Sequence, residues 1–183
     1  MATYCLLQIG LVLLSTTKIS TLDCNILPSL HNKMIQRNLH LLNKMGQHFP
    51  QQCQSEKMYY KFPEQFLKSR QKEEVKVEIQ EILQHIFYIF TKNLTLAVWD
   101  GRSLERFLNG LYQQIEHLET CMREKMEMKK PYSRTRLKLK KYFQKIDNFL
   151  KEKQYSFCSW EIIRLEVRRC LQFIDKVIRR LKN

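Results

Sequence analysis

Glycine and proline are scarce in this chain. Each occurs only four times among 183 residues, so tight turns are few and long helices are expected. No run of strictly alternating apolar and polar residues is long enough to predict a strand. These absences favour an all-α protein over a sheet protein.

Catalytic and metal-binding motifs are also missing. The chain lacks G-x-S-x-G, a Gly-rich phosphate loop and H-E-x-x-H. No two of its five histidines stand three or four residues apart, and we interpret His85 and His117 as surface or boundary residues. No cysteine pair has the C-x-x-C spacing of zinc sites. We therefore expect no enzyme activity, no cofactor and no metal site.

An apolar run from Cys5 to Leu14 opens the chain, and small polar residues follow it. The run is too short to span a bilayer and is typical of a secretory signal. The alternative is a short buried N-terminal helix. We predict a signal peptide over residues 1–22, cleaved within about 20–23, and a single domain over 23–183. No later stretch is apolar enough to be transmembrane, so we expect a secreted, extracellular product without membrane insertion.

Loss of the signal peptide would leave an odd number of cysteines. The five that remain are Cys24, Cys53, Cys121, Cys158 and Cys170. In an oxidising compartment one of five stays unpaired. Cys170 lies on an apolar stripe, where a buried thiol packs as a small hydrophobe, so we predict that it is free. The other four allow three disulfide pairings.

Apolar residues recur at three- and four-residue spacing in five segments, as in helices that pack on a core. We predict helices over about 25–47, 73–91, 102–126, 134–154 and 158–183, with Ser159 as the N-cap of the last. The connection at 48–72 is long and contains Cys53 and an aromatic cluster. This favours an overhand crossover in a four-helix bundle with five helices. The aromatic residues argue against the alternative, a disordered linker.

The last predicted helix carries one apolar residue away from its apolar stripe. Leu165 faces the opposite side, where the neighbouring residues are Glu161, Arg164, Arg168, Arg169 and Gln172. A single exposed leucine is ordinary on a monomer, but a leucine ringed by arginines can also be the centre of a binding patch. The periodicity leaves both interpretations open.

The net charge of +14 favours anionic partners such as acidic receptor faces, heparan-type glycans or nucleic acid. Nucleic acid is not expected, because no DNA- or RNA-binding motif is present and the chain begins with a secretory signal. Asn93 begins the tripeptide Asn-Leu-Thr in a predicted loop, and we predict that it is glycosylated.

Several segments together resemble type I interferons. YSFCSWEIIRLEVRRC is similar to the family's C-terminal signature Y-S-x-C-A-W-E-x-V-R-x-E-I-x-R, and KKYFQKIDNFLKEKQYS resembles the preceding helix. LQHIFYIF, AVWD and LYQQIEHLETC resemble the second and third helices, and CQSEKMYYKFP resembles the loop C-L-K-D-R-x-D-F-x-F-P. The segments occur in the family's order. The free cysteine, the sequon and the basic charge resemble the beta, kappa and epsilon branches more than the alpha branch.

The resemblance implies a five-helix cytokine fold with disulfides Cys24–Cys121 and Cys53–Cys158. It also implies a function. The expected product is a secreted, monomeric glycoprotein that joins the two chains of the type I interferon receptor, activates JAK–STAT signalling and induces antiviral defence in innate immunity.

Residues at the family's contact positions form two sets. The set for the high-affinity receptor chain is Lys57, Arg164, Leu165, Arg168, Arg169 and Phe173. The set for the low-affinity chain is Tyr88, Leu108, Tyr112 and Lys140. Lys57 and Lys140 replace arginines of the family, which removes a planar bidentate fork. Two alternatives remain: another helical cytokine with different receptors, or a cationic binder of glycans or membranes.

Overall fold

Helices make up most of the chain that the structure describes. This computed structural model describes residues 27–46, 48–56, 60–63, 72–92, 99–123 and 134–182. The α helices are α1 (Leu27–Met45), α2 (Lys72–Lys92), α3 (Gly101–Arg123), α4 (Arg134–Glu152) and α5 (Phe157–Lys182). A short 3₁₀ helix, Gln51–Glu56, follows α1. No strand occurs in the described ranges, and the predicted all-α fold with five helices is confirmed.

Short polar side chains cap two of the helices. Asp100 caps α3, because its Oδ2 accepts hydrogen bonds from the amide and the hydroxyl of Ser103, at 3.0 and 2.7 Å. At α5 the amide of Ser159 donates to Oγ of Ser156, at 3.3 Å. The prediction that Ser159 caps the last helix is therefore wrong. Ser156 takes that position because α4 has already ended and the turn delivers the chain to Phe157.

The turn between α4 and α5 is short and left-handed. Gln154 and Tyr155 have positive φ values of 49° and 54°, and the amide of Tyr155 donates to the carbonyl of Leu150 at 2.8 Å. This bond terminates α4. The helix ends at Glu152, two residues before the predicted end at Gln154. Since the connection is so short, α4 and α5 are neighbours in the bundle.

The bundle has a single apolar core to which every α helix contributes. Helix α1 packs against α5 and α3, α3 packs against α2, and α5 also contacts α4 and the 3₁₀ helix. The predicted stripe of α5 is buried, and its members are Trp160, Ile163, Val167, Cys170, Ile174 and Ile178. No helix in the described ranges is long and apolar enough to cross a membrane.

The cysteines among the described residues agree with the prediction. Cys53 of the 3₁₀ helix is bonded to Cys158 near the start of α5, which confirms that disulfide. Cys121 is also disulfide-bonded, and its predicted partner Cys24 lies outside the described residues. Cys170 is free and buried, as predicted.

Candidate functional site

The described parts of the crossover, residues 48–56 and 60–63, contact α5 at two places. Cys53 is bonded to Cys158 near the start of α5. The rings of Phe62 and Phe173 lie 5.1 Å apart in an edge-to-face arrangement. Residues 158 and 173 are about 22 Å apart along a helix that rises 1.5 Å per residue. The described parts of the crossover therefore contact α5 near its start and about four turns further on.

Aromatic contacts hold crossover residues 60–63 against α4. Phe62 contacts Tyr142, with ring centroids 5.2 Å apart, and Tyr60 contacts Tyr142 and Phe149 at 6.3 and 6.0 Å. Each such pair contributes about 0.5–1.5 kcal/mol beyond its burial. Residues 60–63 are thereby fixed next to α5 although they have no regular secondary structure.

The outward side of α5 presents three of the predicted contact residues together. Leu165 and Arg168 are partly exposed and Arg169 is exposed. They stand at three- and four-residue spacing, so their side chains are neighbours on the helix surface. We call these three residues the α5 patch. Phe173 lies one turn further on, half-buried against Phe62.

Arg164 does not belong to this patch, which corrects its assignment to the contact surface. Its side chain is only 1% exposed, and its Nη2 donates to Oε2 of Glu161 at 2.8 Å. Its Nη1 donates to the backbone carbonyl of Leu42 at 3.2 Å. Glu161, predicted on the same exposed side, is buried too, and its Oε1 accepts a bond from the indole of Trp99 at 2.6 Å. The Arg164–Glu161 ion pair is therefore internal, and it connects α5 to α1 and to Trp99, which lies just before α3.

Periodicity does not decide whether an arginine at the border between two helix faces is buried or exposed. Arg164 adjoins both the apolar stripe and the exposed side, and its long stem reaches either environment. The buried orientation is stabilised by the carbonyl of Leu42, in the last turn of α1, which accepts the hydrogen bond from Nη1. Gly46 is the sequence signal that points to this arrangement, because a Cβ there would lie 2.6 Å from the guanidinium.

Glu166 is a site residue that the sequence did not reveal. Its carboxylate is buried, accepts a hydrogen bond from the hydroxyl of Tyr142 and pairs with Nη1 of Arg169 at 3.0 Å. Burial raises the pKa of Glu166, whereas these two partners oppose the change. Glu166 therefore links the core to the α5 patch and restrains the orientation of Arg169.

The thiol of Cys170 lies in the same buried cluster, 3.3 Å from the hydroxyl of Tyr142. Burial raises its pKa to about 12. A thiol of such high pKa stays protonated and is a poor nucleophile, so this cysteine is a packing residue.

A second exposed group of residues lies on α2 and α3. Only three large hydrophobic side chains among the described residues are exposed, and two of them are Tyr88 at 56% and Tyr112 at 53%. The ring of Tyr112 lies 6.3 Å from that of Phe87, and the Nζ of Lys92 lies 5.3 Å from the centre of the Tyr88 ring. We call Tyr88 and Tyr112 the tyrosine patch.

A groove of about 460 Å³ adjoins the tyrosine patch. Its lining includes Phe87, Trp99, Leu104, Leu108 and Tyr112. Leu108, predicted as a surface contact, is only 9% exposed and is reached through this groove. Lys140 is exposed on α4, close enough to His85 of α2 to lower the pKa of that imidazole, although burial is the main cause.

The α5 patch and the tyrosine patch are carried by different helices and share no residue. The first lies on α5, whereas Tyr88 of α2 and Tyr112 of α3 form the second. Helix α3 packs against α1 and α2, and α5 packs mainly against α1. Three predicted residues lie outside the described ranges: Lys57 of the crossover, Asn93 of the sequon and Cys24.

Comparison with known proteins identifies relatives over nearly the whole described chain. The interferon alpha/beta domain family matches residues 27–181. Human interferon kappa is 37% identical, with 85% of this chain and 84% of that protein covered. Human interferon beta is 35% identical over the full length of both chains. Among solved structures, zebrafish interferon 2 has a TM-score of 0.68 and 28% identity, covering 79% of this chain and 96% of that one.

Proposed function

The chain belongs to the type I interferon family, and on this premise we propose that it is a secreted cytokine that joins the two chains of the type I interferon receptor. Its relatives are interferon cytokines, which are not enzymes. The proposed consequence of joining the receptor chains is JAK–STAT signalling and an antiviral response.

The observation that supports this proposal is the pair of separate patches on one helical bundle. A ligand that joins two receptor chains needs two surfaces that can be occupied at once. The α5 patch and the tyrosine patch suit that need, because they lie on different helices and share no residue. A ligand for a single receptor chain would need only one of them.

We assign the α5 patch and the adjoining crossover to the high-affinity chain. The proposed contacts are Lys57, Leu165, Arg168, Arg169 and Phe173. Arginine is enriched among residues that dominate binding energy, especially beside apolar contacts that exclude water. The buried carboxylate of Glu166 holds Arg169 in place before binding, which reduces the side-chain entropy that binding would cost.

We assign the tyrosine patch to the low-affinity chain, together with Lys140 and the groove over Leu108. Tyrosine gives a large contact area and loses little conformational freedom, so exposed tyrosines suit an interface. The groove beside them is apolar in its lining and can receive a side chain of the partner.

The processing and covalent modifications of the chain follow from the same proposal. We propose a signal peptide at residues 1–22, a Cys24–Cys121 disulfide, N-glycosylation at Asn93 and a monomeric product. Mass spectrometry of the secreted protein tests the first three, because each changes the mass of a defined peptide. A mature chain that begins far from residue 23, or an unmodified Asn93 peptide alone, would contradict the corresponding assignment.

The decisive experiment is a reporter assay in cells of the matched species, with each receptor chain deleted in turn. We expect a response when both chains are present and none when either is missing. No response in cells that carry both chains would favour a helical cytokine with different receptors. A full response without one chain would rule out the proposed joining of two chains.

A further inference from the structure

A basic groove lies between crossover residues 60–63 and helix α4, and no residue of either patch lines it. Its volume is about 660 Å³. Aromatic side chains line its floor, and these are Tyr60, Tyr142 and Phe149, each exposed by less than a tenth. Its rims carry Lys61 on the crossover side and Lys138, Lys141 and Lys145 on the α4 side.

The spacing of the α4 lysines produces a continuous positive rim. Residues 138, 141 and 145 stand at three- and four-residue intervals and span about 10 Å along the helix. Among the described residues, Glu152 is the only acidic one in the lining of this groove. The other acidic residue of α4, Asp147, pairs with Lys151 at 2.7 Å and Lys92 at 3.7 Å, and it is not part of the lining.

We propose that this basic groove binds a linear sulfated polysaccharide of the heparan class. Its two positively charged rims suit a chain that carries anionic groups along both of its sides. The net charge of +14 also favours an anionic partner. Glycan binding would retain the protein near cell surfaces and is a function separate from receptor joining.

Other anionic partners fit the groove less well. Proteins that bind single-stranded nucleic acid offer exposed aromatic faces on which bases stack, but the aromatic rings here are edge-to-face with each other and buried. Membrane-surface binding requires an exposed apolar face beside the cationic one, and the floor of this groove does not provide it.

None of the proposed receptor contacts among the described residues lines the groove. The α5 patch lies on the neighbouring helix, and Lys140 lies near His85 on the α2 side of α4 instead of in the groove lining. Glycan binding and receptor binding can therefore be lost separately.

The test compares two triple variants of the full-length secreted protein on immobilised heparin. The groove variant is Lys138→Gln, Lys141→Gln and Lys145→Gln, all on α4. The matched control is Lys33→Gln, Lys44→Gln and Lys72→Gln, which removes the same charge from exposed positions on α1 and α2. Circular dichroism checks that both variants keep the helix content of the wild type.

We expect the wild type to elute well above physiological ionic strength, about 0.15 M. Polyanion binding releases roughly 0.7–0.9 counterions per cationic contact, so the groove variant should lower the slope of log affinity against log salt by about 2–3. The control should lower that slope by less than one. Heparin stripped of its sulfates should not retain the wild type.

Four results would overturn the proposal. They are elution of the wild type at or below physiological salt, an equal loss of affinity in the control variant, equal retention on desulfated heparin, and tighter binding to single-stranded RNA than to heparin. The reporter response is measured on the same preparations. A normal response with lost heparin binding separates this site from the receptor contacts.

Discussion

Arg164 donates a hydrogen bond from Nη1 to the backbone carbonyl of Leu42, 122 residues earlier in the chain. The bond joins the middle of α5 to the last turn of α1. The same guanidinium also pairs with Glu161, whose carboxylate accepts a hydrogen bond from the indole of Trp99. This buried ion pair connects three parts of the chain that periodicity alone does not connect.

Replacement of Arg164 by alanine should destabilise the fold strongly. It leaves the buried carboxylate of Glu161 without its cationic partner, and such losses cost about 3–5 kcal/mol. Urea unfolding measures the change. The exposed Arg37 on α1 is the matched control, and Arg37→Ala should change stability by less than about 0.5 kcal/mol. Equal stability of the two variants would show that Arg164 is not a structural residue.

Gly46 should resist substitution because of the same guanidinium. A Cβ at this position would lie 2.6 Å from Arg164, so Gly46→Ala must displace a side chain held by several hydrogen bonds, at about 1–3 kcal/mol. Gly101→Ala is the control, since nothing lies within 4 Å of its Cβ, and it should be neutral or stabilising by up to about 1 kcal/mol. The Gly46→Ala penalty should largely disappear in the Arg164→Ala background. A penalty that persists there would place its cause elsewhere.

Removal of the Cys53–Cys158 disulfide should weaken both the fold and receptor binding. The bridge spans a sequence separation of 105 residues, and loss of a native disulfide typically costs about 2–5 kcal/mol. The double variant Cys53→Ala and Cys158→Ala also frees the crossover from the start of α5. Thermal unfolding and receptor affinity measure the two effects. Cys170→Ala, which removes only a buried thiol, should leave affinity unchanged, and an unchanged affinity in the double variant would mean that the crossover does not contribute to binding.

Alanine substitution in the α5 patch should weaken the high-affinity receptor contact without unfolding the bundle. We expect Leu165→Ala and Arg169→Ala to cost on the order of 1–2 kcal/mol of binding each, which is roughly 5–30-fold in affinity. Surface plasmon resonance on the isolated receptor chain measures the change, with Arg37→Ala as the control. If both α5 variants keep full affinity, the assigned surface is wrong.

The buried imidazole of His31 should make stability depend on pH. Burial lowers its pKa from 6.5 to about 4, and the positive charges of His117 and Lys76 contribute. The unfolded chain binds a proton at this residue below about pH 6.5 and the folded chain only below about pH 4. Stability contributed by the neutral imidazole is therefore complete above pH 6.5 and is lost as pH falls towards 4, by roughly 3 kcal/mol.

Urea unfolding at pH 7 and at pH 4.5 checks this dependence. The variant His31→Gln cannot titrate and should lose less stability than the wild type between the two values. His40 is exposed on α1, so His40→Gln should keep the wild-type difference. Equal losses in the wild type and in the His31→Gln variant would assign the acid sensitivity to other groups.

Periodicity predicts most of the fold because it records which residues face the core. The stripe from Trp160 to Ile178 is buried as the spacing requires, since any other rotation of α5 would expose it. The family signature supplied the Cys53–Cys158 pairing, which spacing alone left open among three choices. The 3₁₀ helix at Gln51–Glu56 was not predicted, because one short turn has no period to detect.

The candidate surface was predicted less completely, for a physical reason. The sequence placed Leu165 opposite the apolar stripe, and the structure leaves it beside the exposed Arg169. It could not tell Arg169, which is exposed and paired with Glu166, from Arg164, which is buried and bound to Leu42. Helical spacing determines the direction of a Cβ. Only the tertiary structure decides whether a long cationic side chain meets water, a buried carboxylate or the backbone carbonyl of another helix, because the packing of distant parts of the chain sets which of these lies within reach.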